Sequence, residues 1–561
     1  MNTKREFESY NDFIDNFKLN IPDNFNFVYD FVDVKAREHG GELALIHVDN
    51  DGVRREYDFK WFKEESSRLA HGLKAMGVKK GHKVMIVLYR RIEFWVVSLA
   101  LQRLGAVVVP APAQLTPKDI AFRVDFGKLD GLIVEDSITG RVEESRQLCK
   151  LPGILVEVSS GCRGNTPPGW IDYAKLFEGQ PADFPRPASP EENSGGKDPM
   201  IVFFSSGTTG MPKMVCHNAN YPMGHFLTAA YWHDLGPGDI HFTLADTGWG
   251  KAVWGKFYGQ WMAGAVIFVW DFRGKFEPAK LLEVLSAHKV TSFCAPPTVY
   301  RFIIREDLEK YDLSALRHST TAGELLNESV FLDWEKITGK PIYEGFGQTE
   351  SVLMLGTFKF MNPKPGSVGR PVPGWNVVLI DEDGSECPPG QEGEICLRRD
   401  PGNPENDPAG MFQGYLYDPE RTAEVLSPGL YRTGDKAWRD EDGYFWFLGR
   451  VDDLIKSSGY RIGPFEVESA LVSHAAVVEA AVTGVPDPVR GQAVKASVVL
   501  AEGYSPTEEL TKELQDHVKK VTAPYKYPRI VEYVKDLPKT ISGKIRRVEI
   551  REKDAEEIKK Q

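Results

Sequence analysis

Short apolar, β-branched runs alternate along the chain with stretches whose apolar positions recur every three or four residues, the patterns of buried strands and amphipathic helices. Residues 82–89 (HKVMIVLY) read as a buried strand; residues 90–104 carry the helical spacing, and Gly105 stops it before a strand at 106–109 and Pro110. Residues 131–134 and 153–158 repeat the short strand pattern. The rhythm predicts an α/β fold with helices packed on largely parallel, doubly wound sheets. Residues 185–199 (PRPASPEENSGGKDP) read as a loop that delivers the chain into a strand at 200–204. A second set of strands and helices runs from His241 to about Leu355. Gly- and Pro-rich turns with short strands at 376–380 and 393–397 then predict a small β-rich subdomain. Residues 444–455 (YFWFLGRVDDLI) read as strand, charged turn and strand. Beyond them, segments 466–472, 477–483 and 493–500 and a helix at 508–518 predict a compact α+β domain. The boundary falls near Asp452, giving a large domain over 1–451 and a C-terminal one over 452–561. Residues 1–45 read as a polar, aromatic lead-in, and 551–561 as a solvated, charged helix end.

Composition narrows the classes. The 561 residues are 42% hydrophobic and 26% charged, the balance of a globular enzyme rather than a disordered or fibrous chain. Lys and Arg total 68 against 80 Asp and Glu, a net charge of −12, which argues against broad affinity for nucleic acid or an anionic membrane. Cys149, Cys162, Cys216, Cys294, Cys387 and Cys396 stand far apart and predict neither a zinc site nor a disulfide framework. The N-terminus (MNTKREFESYNDF) has no apolar core segment and carries Glu6, Glu8 and Asp12, and no run reaches membrane-spanning length; a cytoplasmic protein is expected.

Ser205, Ser206, Gly207, Thr208, Thr209, Gly210, Met211, Pro212 and Lys213 follow the strand at 200–204. Glycines let consecutive N–H groups converge on an anion, hydroxyls add donors, and Lys213 adds a compact charge, a combination suited to polyphosphate. The spacing is not that of a Walker A loop, because Lys213 follows Pro212 and precedes Met214. Taken alone, the segment fits a Gly/Thr-rich turn equally well.

Four further segments accompany it: Tyr343-Glu344-Gly345-Phe346-Gly347-Gln348-Thr349-Glu350, Tyr431-Arg432-Thr433-Gly434-Asp435, Gly449-Arg450-Val451-Asp452-Asp453 and Pro538-Lys539-Thr540-Ile541-Ser542-Gly543-Lys544. In this order and at these intervals the set resembles the adenylate-forming (AMP-binding) superfamily over nearly the whole chain. Within it, Asp246-Thr247-Gly248-Trp249, Ser458-Gly459-Tyr460-Arg461 and Ala523-Pro524-Tyr525-Lys526-Tyr527-Pro528 look most like the medium-chain acyl-CoA synthetases. The resemblance implies ATP, CoA and Mg²⁺ as ligands and a carboxylic acid as substrate. It places residues 205–213 on the β- and γ-phosphates and Glu350 on Mg²⁺. Thr349 donates to the α-phosphate or the substrate carboxylate, and Lys544 bridges the reacting oxygens. The resemblance places Gly323 and Glu324 near adenine, and counts Glu344, Gly345, Phe346, Gly347 and Gln348 among the ATP-binding residues. Asp435 takes the ribose hydroxyls, Arg450 ribose or phosphate, and Arg461 phosphate; Leu325 departs from the family's usual proline. For CoA it implies Ser458, Gly459 and Tyr460 along the pantetheine path and Gln114, Arg490, Lys519 and Tyr527 at the nucleotide end. Asp452 matches the family's hinge.

The chemistry explains the residue types. A carboxylate resists thiol attack; joined to AMP it becomes a mixed anhydride from which a thiolate expels AMP. The first step brings two anions together, so cationic groups must already be in place. The leading reading is an AMP-forming acid–CoA ligase, reversible toward ATP synthesis. A second delivers the acyl group to a carrier-protein phosphopantetheine. A third is a catalytically silent relative, against which Lys544 and Glu350 both stand. Lys544 lies in a PxxxxGK stretch resembling those modified by lysine acyltransferases and deacylases, and acetylation would cancel its charge. Acetate-specific relatives carry tryptophan where this chain has Gly347. An open acyl pocket is therefore expected at Gly347, Gly250 and Ala322, with Trp249 as a wall. Acids of about four to eight carbons should bind, each buried methylene adding up to ~0.8 kcal/mol.

Overall fold

The structure, a computed structural model, describes residues 4–160, 166–205, 212–400, 402–403, 406–458, 460–539 and 545–560, the side chains of Arg461 and of residues 557–560 excepted. Its first half is built around an eight-stranded sheet. In spatial order its strands are Gly414–Tyr415, Lys213–Asn218, Pro199–Ser205, Val107–Pro110, Lys83–Val87, Gly131–Glu135, Ile154–Val158 and Ile171–Asp172. From Pro199–Ser205 to Ile171–Asp172 all neighbours are parallel, with Val84 opposite both Val108 and Gly131. These strands are buried on both faces, which is why they read as continuous apolar runs rather than alternations.

A nine-stranded sheet follows, ordered Arg370–Pro371, Leu353–Gly356, Ile342–Gly347, His318–Ala322, Ser292–Cys294, Ile240–Thr243, Val266–Trp270, Leu43–Val48 and Arg54–Asp58. Its six central strands are parallel and its ends antiparallel. The strand Leu43–Val48 corrects the reading of residues 1–45 as a lead-in: its register with Val266–Trp270 makes it part of the sheet. The segment before it is also packed. Phe13, on the helix Tyr10–Asn16, is fully buried, its ring 4.8–5.3 Å from Tyr231, Phe358, Phe360 and Phe7. The helix expected over 90–104 starts later, at Glu93–Arg103, because Arg91 N–H turns back onto the Tyr89 carbonyl at 2.7 Å.

A five-stranded antiparallel sheet forms the β-rich subdomain, with Val377–Ile380, Glu392–Arg398 and Leu430–Arg439 in line and Phe445–Arg450 paired to the last. The C-terminal region has its own sheet, led by the Val477–Asp487/Gly491–Leu500 hairpin and covered by helices Pro464–Val472 and Glu508–Val521. Its apolar cluster runs from Ile455 to Val518 and is separate from those of the larger sheets. Among the described residues no helix is long and apolar enough to cross a membrane. Five cysteines are free, four of them buried; Cys162 lies outside the described residues.

Candidate active site

Ser205 and Lys213 face each other across the antiparallel strand pair, so the Ser205–Lys213 motif begins on one strand and ends on the next. Ser206, Gly207, Thr208, Thr209, Gly210 and Met211 lie outside the described residues, as do Gly459, Lys544 and the side chain of Arg461. Lys213 Nζ sits 2.5 Å from Glu350 Oε1 and donates to the Tyr415 hydroxyl at 2.7 Å. Tyr415 donates in turn to Glu350 at 2.9 Å. Burial pushes the Glu350 carboxyl up, but the Lys213 ammonium and these hydrogen bonds outweigh it and hold the group below its ordinary value. Glu350 is therefore a carboxylate at neutral pH despite being 6% exposed. Beneath it, His217 Nε2 donates to the Thr349 carbonyl at 2.7 Å, fixing the backbone beside Glu350. Burial lowers the His217 pKa to about 4, so the ring is neutral.

On the other side of the motif, Gln348 donates to the Thr433 carbonyl at 3.0 Å and to Asp435, and accepts from Tyr431 at 2.5 Å. Arg450 Nη1 donates to the same Thr433 carbonyl at 2.9 Å and lies 3.4 Å from Asp435 Oδ1. The antiparallel register, Asp435 opposite Arg450, produces this. Arg450 Nε is also 3.6 Å from Asp452. One polar network thus joins Gln348, Asp435, Arg450 and Asp452. Gly323 has φ +96°, which a side chain rarely adopts, and starts the turn that presents Glu324. Glu324 accepts from Thr298 at 2.8 Å. Behind the turn, Glu344 accepts the Leu326 N–H at 3.2 Å, and burial raises its carboxyl to about 8. Arg301 lies in the fields of Glu324 and, from the C-terminal region, Glu479, which pairs with Lys539 at 2.7 Å. Glu479, and with it Lys539, therefore lies within electrostatic reach of Arg301 and Glu324.

The acyl-pocket expectation needs a correction. Gly347 does not border an empty volume: a β-carbon there would meet the Trp254 ring at 2.3 Å and the Val352 carbonyl oxygen at 2.4 Å. Nor does Gly347 have a positive φ; close packing is what excludes a side chain. The open positions are elsewhere. A β-carbon on Gly250 would meet nothing within 4 Å. A small cavity lies beside it, lined by Trp254, Ala322, Cys294, Thr243, His233 and Lys251 among others. Two of its lining residues are joined, Lys251 donating to the Ala322 carbonyl at 2.7 Å. Trp249 is half-buried at the start of the helix Gly250–Gly255.

The CoA candidates form separate contacts. Ser458 (φ +52°) donates its N–H to the Arg490 carbonyl at 2.9 Å. Tyr460, 51% exposed, stacks on Tyr525 at 4.1 Å, and Lys519 Nζ sits 4.4 Å over the Tyr527 ring. Gln114 is exposed on the large domain, and no described contact links it to the others. Tyr415, His217, Thr298, Trp254 and Lys251 were not singled out in the sequence. Tyr431 and Thr433 stood inside a quoted motif without a role.

Comparison with known proteins agrees with this geometry. The AMP-binding enzyme family matches residues 32–416, and the AMP-binding enzyme C-terminal domain matches residues 466–544. Acyl-coenzyme A synthetase ACSM3, mitochondrial, of Homo sapiens is 40% identical over 98% of this chain and 93% of its own length. Acyl-coenzyme A synthetase ACSM5, mitochondrial, of Homo sapiens is 41% identical over 95% and 91%. Among solved structures, the anthranilate CoA ligase AuaEII in complex with anthranoyl-AMP superposes with a TM-score of 0.85 at 28% identity, covering 96% of this chain and 99% of the other. A benzoate CoA ligase from Burkholderia xenovorans gives 0.79 at 26%, covering 94% and 100%. The chain belongs to the AMP-binding enzyme family, the adenylate-forming superfamily.

Proposed function

We propose that this AMP-forming acyl-CoA synthetase activates carboxylic acids of about four to eight carbons, branched, alicyclic and aromatic ones included, and uses acetate poorly. The observation that supports the placing of the acyl site is that Trp254, which packs on Gly347 beside the Gln348–Glu350 motif, also lines a small cavity with Ala322 and Lys251, next to the open position at Gly250. The medium-chain-type relatives and the aromatic-acid ligases among the similar structures support it.

In the first half-reaction a carboxylate oxygen attacks the ATP α-phosphorus and the α–β anhydride bond breaks, releasing pyrophosphate. Residues 205–213 hold the β- and γ-phosphates, Thr349 donates to the attacked centre, and Lys544 neutralises the charge that develops there. Glu350 fits a Mg²⁺ ion that arrives with the nucleotide: it is a single buried carboxylate at the phosphate end, and no three-ligand cluster is present among the described residues. That ion would screen the phosphates. In the second half-reaction the CoA thiolate attacks the acyl carbon and AMP leaves. Asp452 is the pivot between the two states; its position in a turn, tied to Arg450 and adjacent to the separate C-terminal core, supports this. Ser458, Gly459 and Tyr460 then line the pantetheine path, with Gln114, Arg490, Lys519 and Tyr527 toward the nucleotide end. Thioester and phosphoanhydride are of comparable energy, so the reaction runs in both directions. Acylation of Lys544 by a lysine acyltransferase would stop the first step only.

An acid panel from acetate to octanoate, with cyclic and aromatic members, tests the reading through AMP and acyl-CoA formation. AMP and acyl-CoA should rise together with the four-to-eight-carbon acids. AMP formed without CoA consumption, or acyl transfer only to a phosphopantetheinylated carrier protein, would overturn it in favour of carrier loading.

A further inference from the structure

Trp254 is held from behind by groups that the nucleotide site does not use. Its main-chain carbonyl accepts from Gln260 Nε2 at 2.9 Å, one edge of its indole rests where the Gly347 β-carbon would be, and 8% of it is exposed. The helix Tyr221–Leu227 approaches Trp254 through His225. Its Tyr221 and His225 are four residues apart, hence on one face of the helix, with ring centroids 4.5 Å apart. Tyr221 also lies 4.0 Å from His217, the ring that supports Thr349, and His225 lies 6.1 Å from Trp254. Both are essentially inaccessible, at 1% and 0% exposure. Burial keeps the phenol neutral. Among the described residues, none hydrogen-bonds that hydroxyl or either His225 nitrogen. The helix itself has little freedom: a β-carbon on Gly224 would meet the Ala409 carbonyl oxygen at 2.3 Å, and one on Gly259 the His225 carbonyl oxygen at 2.2 Å.

Buried tyrosine and histidine are expensive choices for a purely apolar backing; leucine or phenylalanine would fill the space without stranding polar atoms. What these two offer that an aliphatic residue does not is a pair of flat, rigid rings in series, His225 against Trp254 and Tyr221 against His225, which restrict the orientation of the indole. We propose that Tyr221 and His225 are positioning residues that hold the Trp254 indole against Gly347 and thereby set the depth of the acyl pocket. The proposal rests on the assignment of that cavity to the acyl chain. It makes acid selectivity depend on two side chains that no substrate touches.

The test is a double-mutant cycle on the full-length enzyme, reading kcat/KM for butyrate and octanoate, KM for ATP and the thermal midpoint. Tyr221→Phe and His225→Leu should each shift the octanoate-to-butyrate ratio about fivefold or more toward octanoate, with KM for ATP changed by less than about twofold. Trp254→Leu should shift the ratio in the same direction. Tyr221→Phe added to Trp254→Leu should then shift it no further, because the group it positions is gone. His225→Gln, which retains a planar polar group, should recover part of the wild-type ratio in the His225 series. An unchanged ratio in the single variants, or equal effects of Tyr221→Phe with and without Trp254, overturns the proposal. A parallel loss for all acids that tracks the thermal midpoint overturns it as well. Failure of the wild-type enzyme to adenylate any acid of the panel would instead overturn the functional reading beneath it.

Discussion

At Gly347 one added carbon decides the geometry, because the Trp254 ring and a backbone oxygen already occupy the space. Forcing a side chain into such packing costs roughly 1–3 kcal/mol or more, and the Val352 carbonyl cannot rotate away as a side chain would. Gly347→Trp alone should therefore abolish activity with every acid and lower the thermal midpoint. Gly347→Trp combined with Trp254→Gly, which moves the indole rather than adding one, should restore activity with propionate but not octanoate. Steady-state kinetics on the pair check this; full octanoate activity in the single variant would refute the packing. Glu344 makes a second prediction at this scale. Its folded pKa, raised to about 8 by burial, exceeds the ordinary carboxyl value, so between the two the folded protein binds a proton that the unfolded chain releases. Its protonated form costs nothing below the unfolded pKa, and stability falls as pH climbs toward 8. Glu344→Gln keeps the acceptor for Leu326 and removes the titration. The variant's thermal midpoint should gain on wild type steadily from pH 5 to pH 8; a constant difference would contradict the assignment.

Among the elements, the short edge strand Gly414–Tyr415 matters most for its size. Pairing with Lys213–Asn218, it carries the Tyr415 hydroxyl to Lys213 and Glu350. Tyr415→Phe should leave Lys213 and Glu350 paired but less constrained, raising KM for ATP several-fold with the KM for acid unchanged; removing one buried hydrogen-bonding hydroxyl costs about 1–3 kcal/mol. Equal changes in both constants would argue for a general packing role. Tyr415 also marks the limit of what the sequence reveals. The parallel strands were legible because each is buried on both faces and so writes its own local signature, as Lys83–Val87 does. The motif residues were legible because Gln348, Asp435 and Arg450 recur in fixed local patterns. Tyr415 meets Lys213 across 202 residues of chain, and nothing near either announces the other. Leu43–Val48 escaped for a related reason: its neighbour, Val266–Trp270, lies far along the chain from it. Trp254 was missed because small residues at Gly347 and Gly250 look alike in sequence, whereas only the fold shows one filled and the other open.

For the whole molecule, the account requires one site that serves two half-reactions in turn. Lys544→Ala should remove most adenylation while sparing thioester formation from pre-made acyl-adenylate, if, as proposed, that lysine serves only the first half-reaction. Asp452→Pro, which fixes φ near −65° at the pivot, should do the reverse and slow the CoA step more than adenylation. Half-reaction rates measured separately distinguish them, and equal loss of both halves in either variant would contradict a turning C-terminal domain. Beneath both predictions stands the claim that the acid is activated as its adenylate. Butyrate labelled with ¹⁸O in both carboxylate oxygens, turned over with ATP and CoA, tests it most directly, because the attacking oxygen stays with the phosphorus when AMP leaves. Each AMP should carry one ¹⁸O and pyrophosphate none; label in pyrophosphate or free phosphate, or unlabelled AMP, would contradict activation as the adenylate.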